Sequence, residues 1–113
     1  MGGAGSDQTG LKLLVSRSIM GLVFEWHQTK ARSNLRTHGV SFELAATVFN
    51  DSFAIEWLDL RRDYSEERFL TIGMAHGAIL LYVAYTERHD RIRIISARKV
   101  TQNEQDEYFQ QNS

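Results

Sequence analysis

The densest group of chemically capable side chains lies in "RIRIISARKV", residues 91–100, where Arg91, Arg93, Arg98 and Lys99 share a short segment with Ile92, Ile94 and Ile95. A guanidinium donates two parallel hydrogen bonds from a planar fork, which suits a phosphate group. The segment reads as a strand, and side chains alternate across a strand with period two. Arg91, Arg93, Ile95 and Ala97 then share one face, while Ile92, Ile94, Ser96 and Arg98 share the other. An uncompensated buried arginine is expensive, so the Arg93 face should meet a cleft, a partner or solvent. Arg98 falls near the strand end, where a bulge or lost pairing could turn it to either side.

Neighbouring segments add candidates. "ERF" supplies Glu67 and Arg68, "YTER" supplies Arg88, and "LLYVAYT" supplies Tyr82 and Tyr85 on opposite faces. In an antiparallel meander these rows lie side by side, so arginines, a tyrosine and a carboxylate can converge. Arginine beside an aromatic ring offers a phosphate contact and a base-stacking platform together. A cross-strand ladder of Glu and Arg would give the same composition with no site at all. His38 has the right chemistry for a general acid or base, since imidazole titrates near neutral pH. It also stands where a histidine simply meets a helix dipole. Lys30, Arg32 and Arg36 mark the cationic side of one helix, of interest if it borders the same cleft as Arg68 and Arg93. His76 and His89 fall in expected turns.

Several function classes are excluded or disfavoured. The chain has no cysteine, which removes disulfides, thiolate zinc sites and a cysteine nucleophile. The histidines show no HExxH spacing, and no metal or cofactor site is expected. No glycine-rich phosphate loop is present. The net charge is −1, so a generally basic nucleic-acid binder is ruled out. Yet Arg88, Arg91, Arg93, Arg98 and Lys99 fall within twelve residues, which implies a defined anionic target. No apolar run approaches the roughly 18 residues of a membrane span.

These residues must be positioned by a small set of elements. The 113 residues suffice for one domain. Residues 1–19 read as a flexible N-terminal extension, with Met20 a possible natural start and residues 20–113 the folded domain; residues 1–10, rich in glycine, should be disordered. A short strand at 21–26, a polar helix at 27–38 stopped by Gly39, and a second helix at 42–50 capped by Ser41 come first. Strands at 53–59, 67–74, 78–87 and 91–98 follow, the last three joined by hairpin-length links. A helix at 101–110 opens on the capping box "TQNE". The class is α+β, with an antiparallel sheet of about four strands.

The stretches "FEWHQTKARSNLRTHGVSFELAATVFND", "ERFLTIG", "LLYVAYTER" and "RIRIISARKVTQNEQDEY", in this order and spacing, resemble the BrnT toxin family of type II toxin–antitoxin modules over residues 24–108. The resemblance implies a RelE-like fold and a cytoplasmic, metal-independent endoribonuclease that inhibits translation. It also implies a BrnA-like antitoxin partner, with DNA reached only through that complex. Carried onto this chain, it makes His38, Glu67, Arg68, Tyr82, Arg93 and Arg98 the catalytic candidates, with Lys30, Arg88, Arg91 and Lys99 as RNA contacts. The chain departs from the family at His27, where Asp is frequent, and at Thr37, where Lys is frequent. A non-enzymatic module that docks an acidic or DNA-binding partner is the competing reading.

Overall fold

Alternation of apolar and polar residues, broken by glycine and short polar turns, sets most of the strand boundaries. The structure is a computed structural model and describes residues 13–113. Strands β1 (Leu14–Ile19) and β2 (Leu22–His27) form a hairpin. Its two-residue turn has positive φ at both Met20 (52°) and Gly21 (82°), the backbone that matches the twist of a tight hairpin. Helix α1 (Gln28–His38) follows, then α2 (Phe42–Ala46), which continues as a 3-10 turn over Thr47–Asn50. Strands β3 (Ile55–Leu58), β4 (Phe69–Ala75), β5 (Ile79–Arg88) and β6 (Arg91–Lys99) precede helix α3 (Gln102–Gln111).

The sheet has six strands in the order β1-β2-β6-β5-β4-β3. All neighbours are antiparallel except β2 and β6, which pair in parallel from Val23–Arg91 to Glu25–Arg93. This mixed sheet replaces the four-stranded antiparallel sheet and departs from the RelE-like outline that the sequence suggested. The α+β class stands. The flexible extension expected over residues 1–19 also needs correcting. Residues 14–19 are a paired strand, and Val15 and Ile19 pack against the core. Met20 sits in the hairpin turn. The disorder expected for residues 1–10 falls outside the described residues.

One sheet face carries the main core. Phe24 and Trp26 of β2, Val83 of β5 and Ile94 of β6 pack on Phe42, Ala45 and Val48. Gly73 lets β4 approach the 3-10 turn closely, since a Cβ there would lie 3.1 Å from Val48 Cβ. Gly39 ends α1 at φ 70° and Ser41 caps α2, as the sequence indicates. The opposite face is covered at one end by α3. Tyr108 packs there with Ile72 and Leu80, and its hydroxyl donates to Asp51 Oδ2 at 2.6 Å. The capping box of Thr101 and Glu104 is present. At the other end the connection between β3 and β4 folds over the sheet, its base pinned by Asp59 N–H donating to Arg68 C=O at 2.7 Å. Between these two covers the face is open.

Asn34 fixes α1 to this sheet. The β2–β6 pairing ends at Arg93, which leaves the edge of β6 bare beyond it. The Asn34 side chain takes the place of a strand there. It accepts from Ala97 N–H at 3.1 Å and donates to Ala97 C=O at 2.8 Å, and it also donates to Val40 C=O at 2.9 Å. The buried backbone groups are thus satisfied, and Lys30 and His38 are carried to the border of the open face.

Candidate active site

The aim of the arginines on β6 is set by a bulge. Tyr85 pairs with Ile94 and Ala84 pairs with Ser96, so Ile95 has no partner on β5. Strict alternation therefore holds only up to Ile94. Past the bulge Ala97 returns to the core with Ile94, and Arg98 comes to the same face as Arg93. Arg93 stands opposite Thr86, and Arg98 stands opposite Tyr82. The expectation that Ala97 shares the Arg93 face is corrected accordingly.

Arg93 is held by a residue the sequence reading did not single out. Its Nε and Nη2 donate to Glu25 Oε2 at 2.8 and 2.6 Å, and Glu25 is only 5% exposed. Arg93 Nη1 lies 3.4 Å from His27 Nε2. Glu25 stands between the buried aromatics of "FEW", and that alone could have flagged a carboxylate in need of a cation. The pair leaves Arg93 fixed and aimed at a cavity of about 210 Å³, which His27, Lys30, Arg68, Thr86 and Arg88 also line. Four cations here face one carboxylate, that of Glu66. A second groove, with His38, Ser33 and Thr37, shares Lys30, Arg68 and Ile95 with the first, so the two are continuous. Lys30, His38, Arg68, Arg88 and Arg93 thus border these two grooves.

Arg68 stacks on the Tyr64 ring, its guanidinium carbon 4.0 Å from the ring centroid. The Tyr64 hydroxyl donates to Asp59 Oδ2 at 2.9 Å, and Arg61 grips the same carboxylate through Nε and Nη2, both at 2.8 Å. Arg61 thereby holds the Asp59 carboxyl well below its usual range, against the upward push of burial. Arg88 donates to Glu66.

Tyr82 and Arg98 form a second station. The Arg98 guanidinium carbon lies 4.1 Å from the Tyr82 ring centroid. Its two terminal nitrogens donate to both Glu104 oxygens at 2.8 and 2.9 Å. The Arg98 hydrogen bonds lower the Glu104 carboxyl, and Glu104 raises Arg98 in return. Burial raises the Tyr82 hydroxyl, while Arg61 and Arg98 pull it back in part. Trp57 meets Tyr82 edge-on at 6.0 Å, which extends the aromatic surface.

Three expected residues lie outside these two grooves. Glu67 lines an adjoining groove with Arg62 and Asp63, which shares Tyr64, Ser65, Glu66 and Arg68 with the first cavity. Arg91 lies beside Glu25 and Ser16, toward β1. Lys99 borders Met74 and Phe109 near α3. Adjacency along a strand or turn does not give adjacency in space. The sequence reading missed Glu25, Tyr64, Glu66 and Thr86. Among the described residues, no three His, Cys, Asp or Glu side chains gather where a metal could sit.

Together these features define an α+β protein with a cationic groove flanked by aromatic rings and bordered by two imidazoles. The family described as ribonuclease toxin, BrnT, of type II toxin–antitoxin systems matches residues 26–104. The chain belongs to that family, which implies an antitoxin partner. A 1.1 Å crystal structure of the Brucella abortus ribonuclease toxin, BrnT, is similar in fold: the TM-score is 0.53 at 21% identity, over 68% of this chain and 94% of that one. No curated protein matches in sequence. No helix among the described residues is long and apolar enough to cross a membrane.

Proposed function

We propose that the chain is the toxin of a type II toxin–antitoxin module, and that it cleaves RNA in the cytoplasm by attack of a 2′-hydroxyl on the adjacent phosphodiester, without a metal ion. The observation that carries this reading is the convergence of Lys30, Arg68, Arg88 and Arg93 with His27 on one cavity, continuous with the groove of His38. Such cleavage needs a base for the 2′-hydroxyl proton, cations for the charged pentavalent phosphorus and an acid for the leaving 5′-oxygen. Arg93 and Arg68 supply the charge at the reacting phosphate. His38 and His27 move the protons, and Glu67 lines the adjoining groove. Arg98 and Tyr82 bind a neighbouring nucleotide, one through phosphate and the other through its ring. Translation stops because messages are cut. A BrnA-like antitoxin relieves the arrest, and DNA is met only through that partner.

Arg68 offers the cleanest test, because no carboxylate depends on it for compensation. Arg68→Gln should keep the fold and lower the rate of RNA cleavage by about 100-fold or more, as for loss of one transition-state donor. Wild-type chain should arrest growth when expressed alone and cut RNA in the presence of a chelator, leaving 2′,3′-cyclic phosphate ends. Intact RNA and unaffected growth would sink the proposal. One observation favours the second reading, a docking module without activity. Arg88, Arg93 and Arg98 already donate to internal carboxylates, so an acidic partner could take the places of those carboxylates. Co-purification with the product of the neighbouring reading frame, with no RNA cleavage by the chain alone, would select it.

A further inference from the structure

Among the described residues, three buried side-chain polar atoms have no hydrogen-bond partner: Arg68 Nε, Thr86 Oγ1 and Arg88 Nε. Thr86 and Arg88 come from β5 and Arg68 from the connection just before β4, yet all three residues line the same cavity. A buried polar group left unpaired is costly, and three in one place call for a common partner. Each of the three can donate. The missing partner is therefore an acceptor with several lone pairs, carrying negative charge to suit the two guanidinium groups.

What stands over these atoms also points to an anion. The Tyr64 ring covers Arg68, and the Glu66 carboxylate occupies Arg88. Both residues lie on the β3–β4 connection, which leaves and rejoins the sheet at the Asp59–Arg68 backbone bond. A connection with adjoining ends can lift without disturbing the strands it joins. We infer that Arg68, Thr86 and Arg88 form a phosphate subsite, closed in the free chain by the turn at residues 64–66, with the Glu66 carboxylate holding the place of the incoming phosphate. This rests on the RNA-cleaving reading and deepens it. Thr86 becomes a substrate-positioning residue, and the turn must open before a phosphodiester can enter.

Titration of the full chain with inorganic phosphate at constant ionic strength, followed by NMR of the arginine Nε–H signals, tests this. The Arg68 and Arg88 signals should shift saturably in the wild type. Thr86→Val should weaken phosphate binding about tenfold, the worth of one hydrogen bond to a charged group. Glu66→Gln should tighten it about threefold by removing the competing carboxylate. Without phosphate, Thr86→Val should also raise Tm by a few degrees, since it deletes an unpaired buried hydroxyl. A Tm lowered by Thr86→Val, or Arg68 and Arg88 signals indifferent to phosphate, would overturn the subsite. Saturable shifts with RNA left intact would support the subsite while removing the toxin reading. RNA cut equally well by wild type and Thr86→Val, with no saturable shift, would overturn the subsite and leave the toxin reading standing.

Discussion

At the scale of single residues, Arg93 and Glu25 show how a site side chain can also hold the fold. Arg93→Ala would leave the Glu25 carboxylate, 7% exposed at its side chain, without its close guanidinium partner. Stranding one member of a buried pair costs about 3–5 kcal/mol. We expect Arg93→Ala to lower stability by that order in urea unfolding, and to abolish growth arrest for that reason alone. The double variant Glu25→Gln with Arg93→Gln should recover much of the stability and still leave RNA uncut. Activity regained in the double variant would remove Arg93 from the mechanism. The sequence made Arg93 legible, because period two places it opposite Ile92 and Ile94. It did not reveal the Glu25 partner, since β2 is distant in sequence and reaches β6 only through a parallel pairing.

At the scale of elements, the docking of α3 has a pH signature. Burial raises the Asp51 carboxyl, but hydrogen bonds from Tyr108, Met74 N–H and Phe53 N–H outweigh it and leave it below its ordinary 3.8. A lowered carboxyl adds stability that is present above 3.8 and is lost as pH falls through the folded value. Burial and the same Asp51 bond push the Tyr108 hydroxyl up to about 12 from 10.0. That contribution is complete below pH 10.0 and is lost as pH rises toward about 12. Tyr108→Phe should therefore cost about 1–2 kcal/mol at pH 7 and flatten both the acid and the alkaline limb of stability. Urea midpoints at several pH values check this; unchanged limbs would mean that other groups set them. The helices were largely legible, because caps and glycine stops are local signals. Gly39, Ser41 and the Thr101 capping box all stand where the sequence put them. Asn34 was not legible, for its work is to satisfy a strand edge 63 residues away.

At the scale of the whole molecule, sheet order was the least legible feature. Short links imply hairpins, and these were found for β4, β5 and β6, but nothing local says that β2 enters beside β6 or that β1 covers β2. The glycines near the N-terminus obscured a strand whose Val15 and Ile19 pack on the core. A chain begun at Met20 would bare the β2 edge and the apolar surface beneath, so we expect a lower Tm and a tendency to self-associate, measurable by calorimetry and light scattering. An unchanged Tm would show β1 to be dispensable. The unpaired Ile95 has a consequence for the whole cationic face. Across it, Arg93 and Arg98 are five positions apart in sequence but only four apart on the facing strand, from Thr86 to Tyr82. The extra residue acts as a vernier: it leaves each side chain on its own side and resets the aim of the two guanidinium groups relative to each other. Deleting Ile95 should thus give a folded protein with every site side chain present and on the correct side, yet with the two arginines no longer aimed at adjacent phosphates of one strand. Folding and cleavage would come apart in a variant that alters no candidate residue, which would make angle, separately from composition, a measurable property of the site.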